Sequence, residues 1–202
     1  MSGHEITLTD RGRSKDGWAL YLVASLLICS VTLNVLLARK INALRQVEAN
    51  LKAVGNLQPG ETVSALEAKT LDGQSVSFPY GASELPIVIY VLSPACKWCE
   101  KNQRSVEMLA NSTSNKYRFV ALSLTSNNLK QYLEEKNVSF PVYTELPLTT
   151  YSTYKLGNGT PQTIVVSSEG KVLKNWQGAY SDDLKREVEE YFNIELPGIA
   201  PS

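Results

Sequence analysis

The chain has 202 residues, with twenty Lys and Arg balanced by twenty Asp and Glu. That length suits one ordinary domain with an appendage, and a net charge of zero with no dense basic run argues against a nucleic-acid partner. Three cysteines and one histidine, His4 in a polar N-terminal tail, are too few for an all-Cys/His zinc site or a His-dependent hydrolase; no metal and no cofactor is expected.

After a tail over residues 1–17, Trp18 to Ala38 reads WALYLVASLLICSVTLNVLLA, without a charge. A run of about 20 such residues spans roughly 30 Å of hydrocarbon as a helix. Trp18 and Tyr21 suit the interface at one end, Arg39 and Lys40 at the other. A cleaved secretory signal fits poorly, because Leu36 is large where a small residue is wanted. A lipoprotein site at Cys29 also fits poorly, because Ile28 precedes it and the apolar run continues past it. The segment is therefore expected to be an uncleaved single-span signal anchor, with Cys29 a small packing residue within it. Basic residues flank the span equally, with Arg11, Arg13 and Lys15 before it and Arg39, Lys40 and Arg45 after. The positive-inside count is a tie. The short tail is assigned to the cytoplasm, since it is easily left there.

Residues 39–56 form a helical linker. Ile41, Leu44, Val47, Leu51 and Val54 fall at spacings of three and four before Gly55-Asn56 supplies a stop. The stripe packs on the following domain or forms a short parallel coiled coil, giving a weak homodimer.

A domain is expected over residues 57–196. Val63 to Thr70 and Gln74 to Phe78 flank Leu71-Asp72-Gly73, a hairpin turn signal. Pro86 to Ser93, PIVIYVLS, reads as a strand buried on both faces. A helix follows from about Cys96 to Asn111, then a strand over Tyr117–Thr125 and a helix over Asn127–Asn137. Val138–Leu146 includes a short extended piece, and Pro147–Leu156 is a variable connection. Gln162–Ser168 and Lys171–Gln177 form a hairpin through Glu169-Gly170. Ser181 caps a last helix to Phe192, with Asp182 and Asp183 at its positive end. Residues 197–202 form a tail, expected to fray after Pro197. A β-α-β unit feeding an antiparallel hairpin gives an α/β fold, a mixed sheet flanked by helices.

Cys96-Lys97-Trp98-Cys99 stands after the buried strand and at the start of the helix. Residues three apart on a first helical turn share a face, so the two sulfurs can form a Cys96–Cys99 disulfide. Free N–H groups and the helix dipole favour a thiolate on the first cysteine, and Lys97 and Lys101 add positive charge. Cys96 is then the attacking sulfur and Cys99, one turn in, the resolving one. A C-x-x-C pair also occurs in zinc ribbons, haem-attachment sites and structural staples. There is no second pair here, and Glu100 stands where haem attachment needs His. The position within β-α-β favours redox chemistry. Trp98 between the cysteines either packs at the helix start or offers an exposed apolar contact to partner proteins. Tyr143, Tyr151 and Tyr154 are expected to pack.

LSPACKWCEKN, followed some sixty residues on by GNGTPQTIVVSSEGKVLKNWQGAY, resembles the thioredoxin fold, and more narrowly the membrane-anchored periplasmic thioredoxins of the TlpA type. The likeness runs from about Leu57 to Phe192. It implies a thiol–disulfide oxidoreductase in the inner (cytoplasmic) membrane, its C-terminal domain facing the periplasm or cell exterior, an oxidising compartment. It further implies that the enzyme acts as a reductant on the thiols and disulfides of exported proteins. By the same likeness Thr160-Pro161 is the cis-proline loop that lies against the cysteines and pairs with substrate backbone, so both are site residues. The alternative is a binding or assembly module of this fold whose disulfide is a staple. The chain departs from the pattern at three places. Tyr90 stands where thioredoxins carry a buried Asp, and Asn102 where several TlpA-type reductases carry Glu. Ala95 stands where many have Trp. Tyr90 can instead donate a hydrogen bond and tune the pair.

Overall fold

The computed structural model describes residues 17–53, 55–81 and 84–200, without the side chains of 17, 19 and 43–53. The chain divides into two units, Met1–Ala49 and Asn50–Ser202.

Helix α1, Gly17–Ala53, continues unbroken from the apolar run through most of the linker. Its segment Leu20–Asn42 has a mean hydropathy of 2.3 and is long and apolar enough to cross a membrane. The polar members satisfy their own backbone: Thr32 Oγ1 donates to the Ile28 carbonyl at 2.7 Å and Asn34 Nδ2 to that of Ser30 at 2.8 Å. Such local bonding is what a hydrocarbon surrounding demands of a polar side chain. In the proposed dimer seam Ile41 is exposed; Val54 and the side chains of Leu44, Val47 and Leu51 lie outside the described residues.

The second unit opens with strands β1, Leu66–Lys69, and β2, Ser75–Phe78, paired antiparallel as the leading hairpin. At its turn only Gly73 takes the left-handed conformation, φ +80°. Next come β3, Ile87–Leu92; α2, Lys97–Thr113; β4, Arg118–Ser123; and α3, Leu129–Glu135. They are followed by β5, Val142–Tyr143; α4, Leu148–Thr153; a 3-10 turn, Leu156–Asn158; β6, Gln162–Val166; β7, Val172–Gln177; and α5, Asp182–Phe192. The five-stranded sheet has the order β5-β4-β3-β6-β7. β3 runs parallel to β4 and antiparallel to β6, the mixed α/β architecture that the order of elements implied.

All six residues of β3 are buried, as its unbroken apolar run requires of a central strand. Side chains alternate between two faces. Val88, Tyr90 and Leu92 join Val106 and Leu109 of α2 and Val188 and Phe192 of α5 in one core cluster. Ile87, Ile89 and Val91 join Leu66, Phe78, Tyr154 and Leu156 in the other. The β6–β7 turn needs glycine at 170. It has φ +85°, and a Cβ there would stand 2.9 Å from the Tyr80 ring and 3.0 Å from the Val63 carbonyl oxygen.

Two expectations change. The Pro147–Leu156 connection contains α4 and a 3-10 turn. Its Thr-rich sequence has low helical propensity, and tertiary bonds hold it instead. Thr150 exchanges hydrogen bonds with the Glu67 backbone, and the fully buried Tyr154 donates to the Ser64 carbonyl at 2.7 Å. The C-terminal tail does not fray at Pro197. Ser105 Oγ donates to the Gly198 carbonyl at 2.7 Å, and the Ala200 N–H to that of Lys101 at 2.9 Å. The chain thus stays docked on α2 as far as Ala200.

Candidate active site

The sheet delivers its functional residues at the C-terminal end of β3. After Leu92 the chain turns through Ser93-Pro94-Ala95, and Cys96 takes the N-cap of α2 with an extended backbone, φ −88° and ψ 105°. Its sulfur does what Ser or Asp does at most helix starts, accepting the Cys99 N–H at 3.1 Å. Cys96 is part-buried, whereas Cys99, one turn in, is 1% exposed. Both are free thiols. Burial, then hydrogen bonding to Cys96, pushes the Cys99 thiol up to about 12.

The loop before β6 closes over the first sulfur. The Thr160–Pro161 peptide is cis, as the resemblance implied, and the Cys96 thiol donates to the Thr160 carbonyl oxygen at 3.4 Å. The far side of that loop is fixed by the Gly178 N–H, which donates to the Pro161 carbonyl at 2.8 Å. Cys96, Cys99 and Thr160 therefore meet, although 64 residues of chain separate Cys96 from Thr160.

Trp98 is 55% exposed. The Lys101 ammonium lies 5.4 Å from its ring centroid. Lys97 points to solvent. Glu100 turns away to an ion pair with Lys136 at 2.5 Å, so it serves neither cysteine. A cleft beside Ala95 is lined by Pro94, Thr125, Asn127, Gln131 and Tyr132.

Tyr90 lies beneath this surface, 2% exposed, on the sheet face that packs on α2. Burial, and next the charge on Cys99, holds its phenol well above the usual tyrosine range. Its hydroxyl oxygen accepts from Asn102 Nδ2 at 3.4 Å. Burial, and next the two sulfurs, pushes the half-buried Tyr132 up to about 12. The sequence reading named Asn102 only as a departure from the family pattern and passed over Tyr132 and Tyr180. The available signal was the spacing: Asn102 follows Cys99 by three residues, so it shares the buried face of α2. Among the described residues, no cluster of three or more His, Cys, Asp or Glu is placed to hold a metal ion.

No family model and no curated protein matches the chain. Solved structures do. The thioredoxin domain of a thiol-disulfide oxidoreductase from Bacteroides vulgatus superposes with a TM-score of 0.54 at 21% identity, over 68% of this chain and 100% of that one. A thiol:disulfide interchange protein from a Bacteroides species gives 0.55 at 22% identity, over 68% of this chain and 91% of that one. A peroxiredoxin-like protein from Aquifex aeolicus gives 0.53 at 18% identity, over 67% and 88%. Likeness at these identities establishes the thioredoxin-like fold, and the different descriptions show that chemistry must be argued from the site.

Proposed function

We propose that this chain is a membrane-tethered protein thiol–disulfide oxidoreductase that reduces disulfides of exported proteins. The observation that carries the reading is the asymmetry of the pair: Cys96 is reachable, caps a helix and lies 3.4 Å from the Thr160 carbonyl, with Cys99 buried behind it. A thiolate at Cys96 attacks a disulfide sulfur of the partner. That S–S bond breaks, a mixed disulfide forms, and the departing partner sulfur takes a proton. Cys99 then gives up its proton and attacks the Cys96 sulfur. The Cys96–Cys99 bond forms, the second partner sulfur leaves as a thiol, and two electrons have passed to the partner.

Thr160 and Pro161 supply the backbone edge against which the partner's chain pairs, and Trp98 gives it an apolar contact at low entropic cost. Lys97 adds positive charge at the helix start. The reductive direction rests on the resemblance to TlpA-type proteins. The full-length protein in detergent should reduce a self-quenched fluorescent disulfide with turnover in the presence of excess thiol, and Cys96→Ser should lose that turnover to background. Full activity of Cys96→Ser would contradict the assignment.

The tether is α1, with the folded unit on the outer side of the cytoplasmic membrane, where disulfides of exported proteins occur. An export-dependent reporter fused after Ser202 should therefore be active. Activity there of a reporter that works only in the cytoplasm would reverse the topology.

A further inference from the structure

Among the described residues no Asp or Glu is buried, yet a resolving sulfur must become anionic at the 1% exposed position of Cys99. What lies buried near it instead is a clamped amide, Asn102, and a phenol, Tyr90. Asn102 is fully buried on α2. The Tyr180 N–H donates to its Oδ1 at 2.9 Å. A backbone N–H can only donate, so this bond fixes which way the amide faces and turns Nδ2 to the Tyr90 hydroxyl. An amide NH₂ in turn can only donate, so the Tyr90 oxygen is the acceptor at 3.4 Å. Tyr180 is itself anchored, its hydroxyl 2.7 Å from Thr163 Oγ1. The phenol proton of Tyr90 is left over. Among the described residues no hydrogen bond uses it, and Tyr90 and Cys99 share one cluster.

We propose that Asn102 is a positioning residue for the second half of the exchange: it holds the Tyr90 hydroxyl by its oxygen, leaving the phenol proton to bond the Cys99 sulfur as that sulfur becomes anionic. This rests on Cys99 being the resolving thiol. In that step the Cys99 proton leaves with the departing partner sulfur, the partner–Cys96 bond breaks and the Cys96–Cys99 bond forms. Tyr90 gives a hydrogen bond and no proton. Its phenol is held protonated by burial, which suits a donor and excludes a base at ordinary pH. The other titratable groups in this cluster or packed against it are Tyr180, Cys96, Tyr132 on α3, Tyr117 and Tyr191.

The test uses the reduced full-length chain carrying Cys29→Ser in detergent, so that Cys96 and Cys99 are its only thiols, and an aromatic disulfide that liberates a coloured thiol. The first release reports attack by Cys96 and the second reports attack by Cys99. The second phase should rise with pH. Tyr90→Phe should move its midpoint up by about one pH unit, slowing it ~10-fold near neutrality. Asn102→Leu should do the same, and the double variant should be no slower than the slower single one. An unmoved midpoint in a Tyr90→Phe protein that melts as wild type would overturn the proposal, and Tyr90→Phe decides it if Asn102→Leu fails to fold. A folded Asn102→Leu with the wild-type midpoint would remove Asn102 from the role. Absence of a second phase in the wild type would instead contradict the resolving role of Cys99, and this proposal with it.

Discussion

Replacing Cys99 with Ser is expected to turn the protein into a covalent trap for its partners. In the proposed exchange Cys99, one helical turn from Cys96, is the sulfur that releases the mixed disulfide. Well-oriented intramolecular groups act with effective molarities of about 10⁵ M or more, so release without Cys99 should slow by at least ~10³-fold. Serine fills nearly the same volume at this 1% exposed position, so the fold should survive. Non-reducing gels of cells carrying Cys99→Ser should show adducts that thiol reagents dissolve, and Cys96→Ser should show none. Adducts with Cys96→Ser and none with Cys99→Ser would reverse the two roles.

The parts of this site that were legible in the sequence were those written in one segment. PIVIYVLS fits a doubly buried strand, and a C-x-x-C directly after such a strand falls at a helix start, where the structure puts it. The Thr160-Pro161 loop was legible only through resemblance, because nothing in its local sequence says that 64 residues of chain will fold it back onto Cys96. The Pro147–Leu156 segment misled because its threonines argue against helix, while the bonds that hold α4 come from β1 and the segment before it. The docked tail was hidden for a similar reason, its partners being Ser105 and Lys101 on α2.

Asn102 is the most instructive case. The sequence marked Asn102 only as a departure from the family pattern, and its spacing from Cys99 pointed to a buried face without naming a partner. It becomes a polar member of the site only when β3 supplies the Tyr90 hydroxyl and the turn after β7 supplies the Tyr180 N–H. Both long-range bonds depend on the sheet order, which sets Tyr90 opposite Thr163 and brings Thr163 against the Tyr180 hydroxyl. Polar networks of this kind are properties of topology, and a single sequence carries them only as scattered residues.

The second large effect concerns the Cys96–Cys99 pair itself, and it separates an exchanger from a staple. Structural disulfides have potentials below about −300 mV, whereas disulfide-exchanging proteins of this fold lie roughly between −120 and −270 mV. Each 30 mV is about 1.4 kcal/mol for a two-electron couple, so the two classes differ in equilibrium with glutathione by an order of magnitude or more. Access differs too, because a staple is shielded and Cys96 here is reachable from solvent. The direct measurement is a thiol-labelling titration of the full-length protein in glutathione buffers of defined ratio. The pair should titrate as one two-electron couple with a midpoint above about −300 mV, reached from either the oxidised or the reduced side. A pair that stays oxidised at every ratio, with Cys96 never labelled, would contradict the exchange function and leave the disulfide a structural bond.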